Sequence, residues 1–389
     1  MSDTRLWTKD FLLSGLINFL MIMVFYMLVV VMASYAIHIL NASTAQAGLV
    51  SGLFIIGTLV GRFFLHLIIQ KIGQKNTMYL GFIGFCGSAM LYYLNPTLDW
   101  LMFIRFIHGL SYGFASTVIS TMIAQIIPIT RRGEGIGYFS LSNTVGTAIG
   151  PLLAIYLSIH ASFDSIFIFC IVTSVICFML SFYLSFPTQS NHTSIQTASW
   201  LSQMIELKAI PISIVALLSA ICYSGVLTFI NFYAQQLRLD YAGSLFFVIY
   251  SLSIFLSRPF TGKLMDQKGE NIVMYPALVT LALSLLLLSF TQSSTVLLLC
   301  AALLGFGFGN IQSIAQTIAI QSTDIEHIGL ATSTFLIAIN IGLGFGPFFL
   351  GCLLNYMDYA QMYLYSGIGA ALCLFLYYFL HGRYVKPLN

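Results

Sequence analysis

The sequence predicts an all-α integral membrane protein, in which twelve transmembrane helices form two pseudo-symmetric bundles of six. Of its 389 residues, 59% are hydrophobic and only 7% are charged, which is too little charge to cover a soluble surface. Residues 11–61 contain no Asp, Glu, Lys or Arg. A backbone in lipid satisfies its own amides only in a helix or a closed barrel, and the alternating pattern of a barrel is absent.

The two bundles are predicted because the second half of the chain repeats the first. Arg62–Gly73 aligns without a gap with Arg258–Gly269, an offset of 196 residues, and the same offset places Gly150-Pro151 on Gly346-Pro347. Secondary transporters are built from such repeats, with a binding site near the repeat interface. The repeat therefore indicates transport before any catalytic motif is considered.

Each predicted span is bounded by charges or by turn residues. The twelve spans cover residues 11–37, 46–66, 77–94, 98–127, 136–159, 165–186, 210–236, 243–262, 271–291, 295–322, 328–354 and 360–380. A polar stretch at 188–208 is predicted to be a cytoplasmic linker between an N-terminal bundle at 1–187 and a C-terminal bundle at 209–389.

The placement of Lys and Arg predicts the orientation. If the amino terminus is cytoplasmic, almost all Lys and Arg residues near helix ends fall on the cytoplasmic side of the membrane. Arg238 is the exception. Both termini are therefore predicted to be cytoplasmic. The net charge of +3 reflects this topology, so no nucleic-acid partner is predicted. The expected partners are the lipid bilayer, protons and a small-molecule substrate, and the protein is expected to act as a monomer.

No catalytic or metal-binding constellation is found in the sequence. The seven cysteines fall within predicted helices and are not spaced as metal ligands. A paired base and nucleophile at membrane depth is also absent. The sequence therefore predicts neither an enzyme nor a metal or cofactor, and a proton gradient is the expected source of energy.

Four segments carry a resemblance to a known family. Residues 262–269, Gly-Lys-Leu-Met-Asp-Gln-Lys-Gly, resemble the loop motif of the major facilitator superfamily, and residues 105–109, Arg-Phe-Ile-His-Gly, resemble its fourth-helix motif. Residues 146–151, Gly-Thr-Ala-Ile-Gly-Pro, are similar to the signature of the drug/proton antiporter branch, and 131–139 to a bacterial efflux subgroup for sugars, drugs or metal-chelating small molecules. The resemblance implies a multidrug-resistance type of exporter in the bacterial cytoplasmic membrane.

Several residues of these motifs are expected to act in gating. A carboxylate at Asp266, in the predicted loop between helices eight and nine, can pair with Arg131, Arg132 and the positive end of helix five, although a solvated turn charge is an alternative. His66 and Gln70 replace the motif's Gly and Asp in the first half. The cytoplasmic contact made by this motif is therefore predicted to be weaker in the first half than in the second, which we call an asymmetric latch. Small residues four apart before a proline predict a kink or a tight contact, with generic packing as the alternative. The gating set is Arg62, Gly73, Arg131, Arg132, Gly146, Gly150, Pro151, Arg258, Gly262, Asp266, Gly269, Gly346 and Pro347.

Arg105 is the charged residue predicted to lie deepest in the membrane. Burying it without compensation would cost on the order of 3 kcal/mol or more, so a substrate anion, a carbonyl or a proton-carrying side chain is expected nearby. A snorkelling structural arginine is the alternative. His108 lies three residues further on, on the same helix face. Because an imidazole titrates near neutral pH, this pair is a candidate for proton coupling, and a neutral core histidine is the alternative.

No Asp or Glu lies in the middle of a predicted helix, whereas an embedded carboxylate is common in the branch that the chain resembles. The proton-coupling candidates are therefore Arg105, His108 and Asp10. The cavity is expected to be polar, aromatic and net positive, which favours a zwitterionic or anionic substrate. Its candidate lining residues, with interhelical bonding as the alternative role, are Asn18, Tyr26, Arg105, Tyr112, Tyr223, Asn231, Tyr233, Asn310, Gln312 and Gln316.

The sequence thus predicts a secondary active exporter that works by proton-coupled antiport with alternating access. The expected cargo is a small organic molecule, such as an amphiphilic drug, a metallophore-like chelator or a sugar or amino-acid derivative. A proton-coupled uptake symporter and a membrane sensor that has lost transport are the alternatives. The glycine–proline signature argues against the symporter.

Overall fold

The computed structural model describes residues 5–42, 44–94, 97–186, 204–354 and 356–385. Within these residues the chain forms twelve long helices. Their bounds are α1 Lys9–His38, α2 Thr44–Ile72, α3 Gln74–Tyr93, α4 Leu98–Ile126, α5 Arg132–His160, α6 Phe163–Ser181, α7 Ile210–Gln236, α8 Asp240–Lys268, α9 Asn271–Ser289, α10 Ser294–Gln321, α11 Ile328–Leu353 and α12 Tyr359–Leu380.

Eleven of these helices are long and apolar enough to cross a membrane. The exception is α3, which has 20 residues and begins with the polar run Gln-Lys-Asn-Thr. The predicted all-α membrane class is confirmed.

The predicted ends of α2 and α8, at residues 66 and 262, are wrong. Both helices continue, to Ile72 and Lys268, so Asp266 lies in the last turn of α8 and not in a loop. The helices stop where Gly73 and Gly269 adopt φ values of 82° and 86°. Glycine adopts this left-handed region without steric penalty, so the repeat places the same turn in both halves.

Contacts group the chain into two compact units. Unit 1 comprises residues 1–128, 142–206 and 325–333, and unit 2 comprises residues 129–141, 207–324 and 334–389. The start of α5 thus belongs to unit 2 and the start of α11 to unit 1. The domain boundaries at 1–187 and 209–389 stay a prediction, and residues 188–203 of the predicted linker lie outside the described residues.

Glycines allow neighbouring helices to approach closely in each unit. A β-carbon at Gly109 in α4 would lie 2.0 Å from the carbonyl oxygen of Phe54 in α2. The 196-residue offset maps this pair onto Gly305 and Tyr250, where a β-carbon would lie 2.3 Å from the Tyr250 carbonyl oxygen. Both units therefore contain the same glycine-dependent helix crossing.

We expect Gly109→Ala to destabilise the protein by roughly 1–3 kcal/mol, because the added methyl group must push α2 and α4 apart. Gly305→Ala should produce a similar loss. Gly87→Ala in α3 is the matched control, since nothing lies within 4 Å of a β-carbon there. Thermal unfolding of the detergent-solubilised variants measures the effect, and equal melting of Gly109→Ala and Gly87→Ala would contradict it.

Candidate functional site

The predicted pair Arg105 and His108 lies in the core of unit 1. Both side chains belong to α4 and are 0% exposed. The Arg105 Nε atom donates a hydrogen bond of 3.1 Å to the carbonyl oxygen of Val50 in α2. The guanidinium carbon also lies 4.8 Å from the centroid of the Phe54 ring. A carbonyl dipole and an aromatic face thus hold the guanidinium on one side.

The His108 imidazole is enclosed by aromatic side chains. Its Nδ1 atom is 3.0 Å from the hydroxyl of Tyr92 in α3. The ring centroid lies 5.3 Å from that of Phe54 and 4.4 Å from that of Phe85. Tyr92 was not singled out from the sequence, because a tyrosine near the end of an apolar span is ordinary at a membrane interface.

Three nitrogen atoms of this cluster have unused hydrogen-bonding capacity. Nη1 and Nη2 of Arg105 and Nε2 of His108 are buried and have no hydrogen-bond partner among the described residues. A guanidinium has no acceptor atoms, so both of its unused atoms are donors. Unsatisfied donors in a buried site favour a ligand that brings acceptors and negative charge.

The other proton-coupling candidate, Asp10, lies elsewhere in unit 1. It is in the first turn of α1, and its Oδ1 atom accepts a hydrogen bond of 3.0 Å from the backbone amide of Ser185. The helix of 30 residues that follows is about 45 Å long, and Val50, which contacts Arg105, comes after its far end. The structure therefore does not bring Asp10 to the Arg105–His108 pair.

Three of the predicted cavity residues form hydrogen bonds between helices. Asn18 in α1 donates to Ser142 in α5 at 2.7 Å, and Tyr233 in α7 donates to the carbonyl oxygen of Leu288 in α9 at 2.9 Å. Asn310 in α10 accepts from Thr261 and donates to Ser257, both in α8, at 2.8 and 3.0 Å. These bonds fit the alternative role that the sequence left open, in which such side chains join helices.

Among the other cavity candidates, two tyrosines belong to related aromatic clusters. Tyr112 packs on Phe25 and Phe54 in unit 1, with centroids 5.8 and 5.4 Å apart. In unit 2, Tyr223 packs on Tyr250 and Phe308 at 5.6 and 4.0 Å. The repeat maps Phe54 onto Tyr250 and Tyr112 onto Phe308, so the clusters correspond. Of the rest, Tyr26 and Gln312 are half-buried, Gln316 is buried, and the side chain of Asn231 lies outside the described part of the structure.

The gating candidate Asp266 makes its polar contacts in unit 2. Asp266 accepts hydrogen bonds from the backbone amides of Gly133, at 2.7 Å, and Glu134, at 2.9 Å. These are the second and third residues of α5, whose amides a capping side chain normally satisfies. Glu134 in turn pairs with Arg131 at 2.7 Å and with Lys263 at 3.6 Å. Asp266 thus contacts the start of α5 through backbone amides, and its role in gating stays a prediction.

Glycines make the crossing of α5 and α8 in unit 2 very close. A β-carbon at Gly262 would lie 2.7 Å from the carbonyl oxygen of Gly133. In unit 1 the corresponding residues are His66 and Gly329, and a β-carbon at Gly329 would first meet Thr121 at 3.2 Å. The asymmetric latch remains a prediction about gating, and the geometry on which it depends differs between the units.

The equivalent arginines of α2 and α8 are both buried and bonded. Arg258 donates to the carbonyl oxygen of Gly309 at 2.9 Å and to the Ser140 hydroxyl. Arg62 donates from Nε to Thr117 at 3.3 Å. Because α2 and α8 are longer than predicted, both arginines lie nearly three turns from the helix ends, deeper than expected.

The glycine–proline signatures lie where helices of the same unit meet. β-Carbons at Gly146 and Gly150 in α5 would lie 2.6 Å from Ile22 and 2.8 Å from the Met23 carbonyl oxygen, both in α1. A β-carbon at Gly346 in α11 would lie 2.2 Å from the hydroxyl oxygen of Ser224 in α7. Pro151 and Pro347 lie inside α5 and α11. Close helix packing is therefore one role of these glycines.

Among the described residues, no group of three or more His, Cys, Asp or Glu side chains is arranged to hold a metal ion. The candidate functional residues form two separate groups: the Arg105–His108–Tyr92 cluster in unit 1, and the contact of Asp266 with the start of α5 in unit 2.

The sequence profile of the Major Facilitator Superfamily matches residues 15–324 and 242–388. The chain belongs to this superfamily. It is therefore a multi-pass membrane transporter that handles a small molecule, and it is not an enzyme.

The transporter has full-length relatives among characterised and uncharacterised proteins. It is 24% identical over 347 residues to an uncharacterized MFS-type transporter of Methanocaldococcus jannaschii, covering 87% of this chain and 89% of the relative. It is 23% identical over 347 residues to the staphylopine export protein of Staphylococcus aureus, covering 85% and 86%.

Two solved structures are similar to it over nearly their whole length. The human organic anion transporter TETRAN has a TM-score of 0.77 at 14% identity, covering 95% of this chain and 98% of that one. The proton:xylose symporter XylE has a TM-score of 0.75 at 14% identity, covering 100% and 97%. At these identities the similarity establishes the fold alone.

We expect Asp266→Ala to lower the free energy of unfolding by about 0.5–2 kcal/mol, because two amides at the start of α5 lose their acceptor. Gln70→Ala, at the equivalent and exposed position of α2, should change it by less than about 0.5 kcal/mol. Denaturant titration in mixed micelles measures both values. Equal losses for the two variants would contradict a capping role for Asp266.

Proposed function

We propose that this transporter exports a small organic anion or zwitterion by alternating access, in exchange for protons that enter down their gradient. The observation that carries the substrate class is the Arg105–His108 cluster. It buries a positive charge together with three nitrogen atoms that lack a partner among the described residues. A carboxylate or similar anion would supply both the missing acceptors and the compensating charge.

The distribution of acidic residues supports this substrate class. In the described helices, every Asp and Glu lies in the first or last turn or at a cap, so none stands in the middle of a helix. The middle of each described helix therefore offers no carboxylate to attract a cationic drug. An anionic or zwitterionic cargo, including a metal-chelating or acidic amino-acid derivative, fits this charge pattern better than a plain cation.

The direction of transport is proposed from the sequence and from the relatives. Residues 146–151 resemble the exporter signature, and one full-length relative is named an export protein. A shorter match, 26% identical over 125 residues, covers 32% of this chain and is named multidrug resistance protein 2 of Bacillus subtilis. The fold itself is shared with proton-coupled symporters, so it does not determine direction.

Further properties of the proposal follow from the sequence. The protein would lie in a bacterial cytoplasmic membrane with both termini inside, and it would function as a monomer. The proton gradient would be its energy source, without a cofactor. His108 and Asp10 are the candidate proton carriers, and the carboxylate of Asp10 lies at the helix end that the distribution of Lys and Arg assigns to the cytoplasm.

Proteoliposomes with an imposed pH gradient and an internal pH dye would test this function. Carboxylates and zwitterions should produce substrate-dependent proton flux, whereas cationic amphiphiles should produce little. Flux that is indifferent to every compound, or co-directional movement of substrate and protons, would contradict export by antiport.

We expect Arg105→Ala to lower kcat/KM for an active carboxylate by roughly tenfold to a hundredfold, because a hydrogen-bonded charge contributes about 1.5–3 kcal/mol. The fold should persist, since the substitution removes a buried charge. Arg383→Gln removes an exposed positive charge and is the control, with no change expected. The same vesicle assay measures both, and unchanged transport by Arg105→Ala would make the residue structural.

A further inference from the structure

One side chain of unit 1 lies beside both members of the Arg105–His108 pair. The Tyr92 hydroxyl is 3.0 Å from His108 Nδ1, and it also lies close enough to the Arg105 guanidinium to interact with it electrostatically. Tyr92 is itself 0% exposed, and its ring packs on Phe167 with centroids 5.9 Å apart. The buried ring thus holds the hydroxyl beside His108.

The charge of Arg105 determines which way this hydroxyl points. A guanidinium carries only donors, so the Tyr92 oxygen directs its lone pairs towards the guanidinium and its hydrogen away from it. The hydrogen then faces His108 Nδ1, which must accept it. A neutral imidazole that accepts at Nδ1 carries its own hydrogen on Nε2. Protonation of Nδ1 would instead place a second positive charge beside Arg105 and reverse the Tyr92 hydroxyl.

From this geometry we propose that Tyr92 is a positioning residue, which holds His108 as the neutral tautomer with hydrogen on Nε2. Arg105 and His108 then present only donors to one carboxylate group of the ligand. This inference rests on the proposed function and deepens it, because it names the ligand group and gives His108 the role of a hydrogen-bond donor in the resting site.

The arrangement of Arg105 favours a carboxylate over other acceptors. Its Nε atom is already bonded to the Val50 carbonyl oxygen, which leaves the Nη1–Nη2 edge. This edge has the spacing that binds two oxygen atoms of a carboxylate side by side. A neutral amide would offer one oxygen and no charge. Among the described residues, His108 Nε2 has no hydrogen-bond partner, and the ring of Phe54, which lies 5.3 Å from the imidazole between centroids, is at best a weak acceptor.

The tautomer can be measured directly by ¹⁵N NMR of the histidine-labelled protein in nanodiscs. His108→Gln identifies the His108 signals by subtraction. We expect a protonated Nε2 and an unprotonated Nδ1 in the unsubstituted protein. Tyr92→Phe retains the ring and its packing but should lose this fixed tautomer. Tyr93→Phe, at an exposed tyrosine one position further on, is the matched control and should keep it.

Benzoate and benzamide are the probes for the ligand group. Benzoate should shift the Nε2 signal in a saturable manner, whereas benzamide should not. Tyr92→Phe should weaken benzoate binding roughly fivefold to tenfold through loss of one hydrogen bond in the network, and Tyr93→Phe should leave it unchanged.

The role of Tyr92 would be overturned by a hydrogen on His108 Nδ1 in the unsubstituted protein. It would also be overturned if Tyr92→Phe kept both the tautomer and the affinity for benzoate. Equal effects of benzamide and benzoate would overturn the ligand class. A lack of proton-coupled export in vesicles would overturn the proposed function alone, because the tautomer and benzoate binding are measured without a gradient.

Discussion

Lipid forms no hydrogen bonds with the protein, and this constraint governs the structure throughout. Backbone amides are satisfied within the helices. Many hydroxyl groups bond to carbonyl oxygens one turn back in their own helix, as Ser116 does to Tyr112 and Ser213 to Ala209. Longer polar side chains bond to a neighbouring helix, as Asn18 does. Most polar groups therefore hold the bundle together, and few remain for a ligand.

The two most buried arginines, Arg105 and Arg258, show what this constraint means for function. Both terminal nitrogens of Arg258 are bonded, to Ser140 and to the Gly309 carbonyl oxygen, so its charge is integrated into the packing of unit 2. Among the described residues, Nη1 and Nη2 of Arg105 have no hydrogen-bond partner, and neither has Nε2 of the neighbouring His108. A buried donor without a partner is unfavourable unless a ligand satisfies it during the working cycle. Arg105 is therefore the stronger candidate for ligand binding.

The internal repeat separates what supports the fold from what distinguishes the halves. The turns at Gly73 and Gly269 and the crossing glycines at 109 and 305 have the same geometry in both units. The position of Gly262, however, is occupied by His66 in the first half, where a side chain prevents the same close crossing. The Arg105–His108 pair likewise has no counterpart at Ala301 and Leu304. Packing and the buried arginines Arg62 and Arg258 are thus duplicated, while the Arg105–His108 pair occurs in one half only.

Composition and the 196-residue repeat alone determined the membrane class and the number of helices. These are properties of local hydropathy, so they can be read along the chain. The ends of α2 and α8 were placed too early, because charged residues were taken as helix ends although only glycine breaks these helices. Only the tertiary structure decided which polar side chains are already satisfied. The partners of His108 and Arg105 lie 16 and 55 residues away in sequence, in Tyr92 and Val50, and helix packing rather than any spacing rule brings them together.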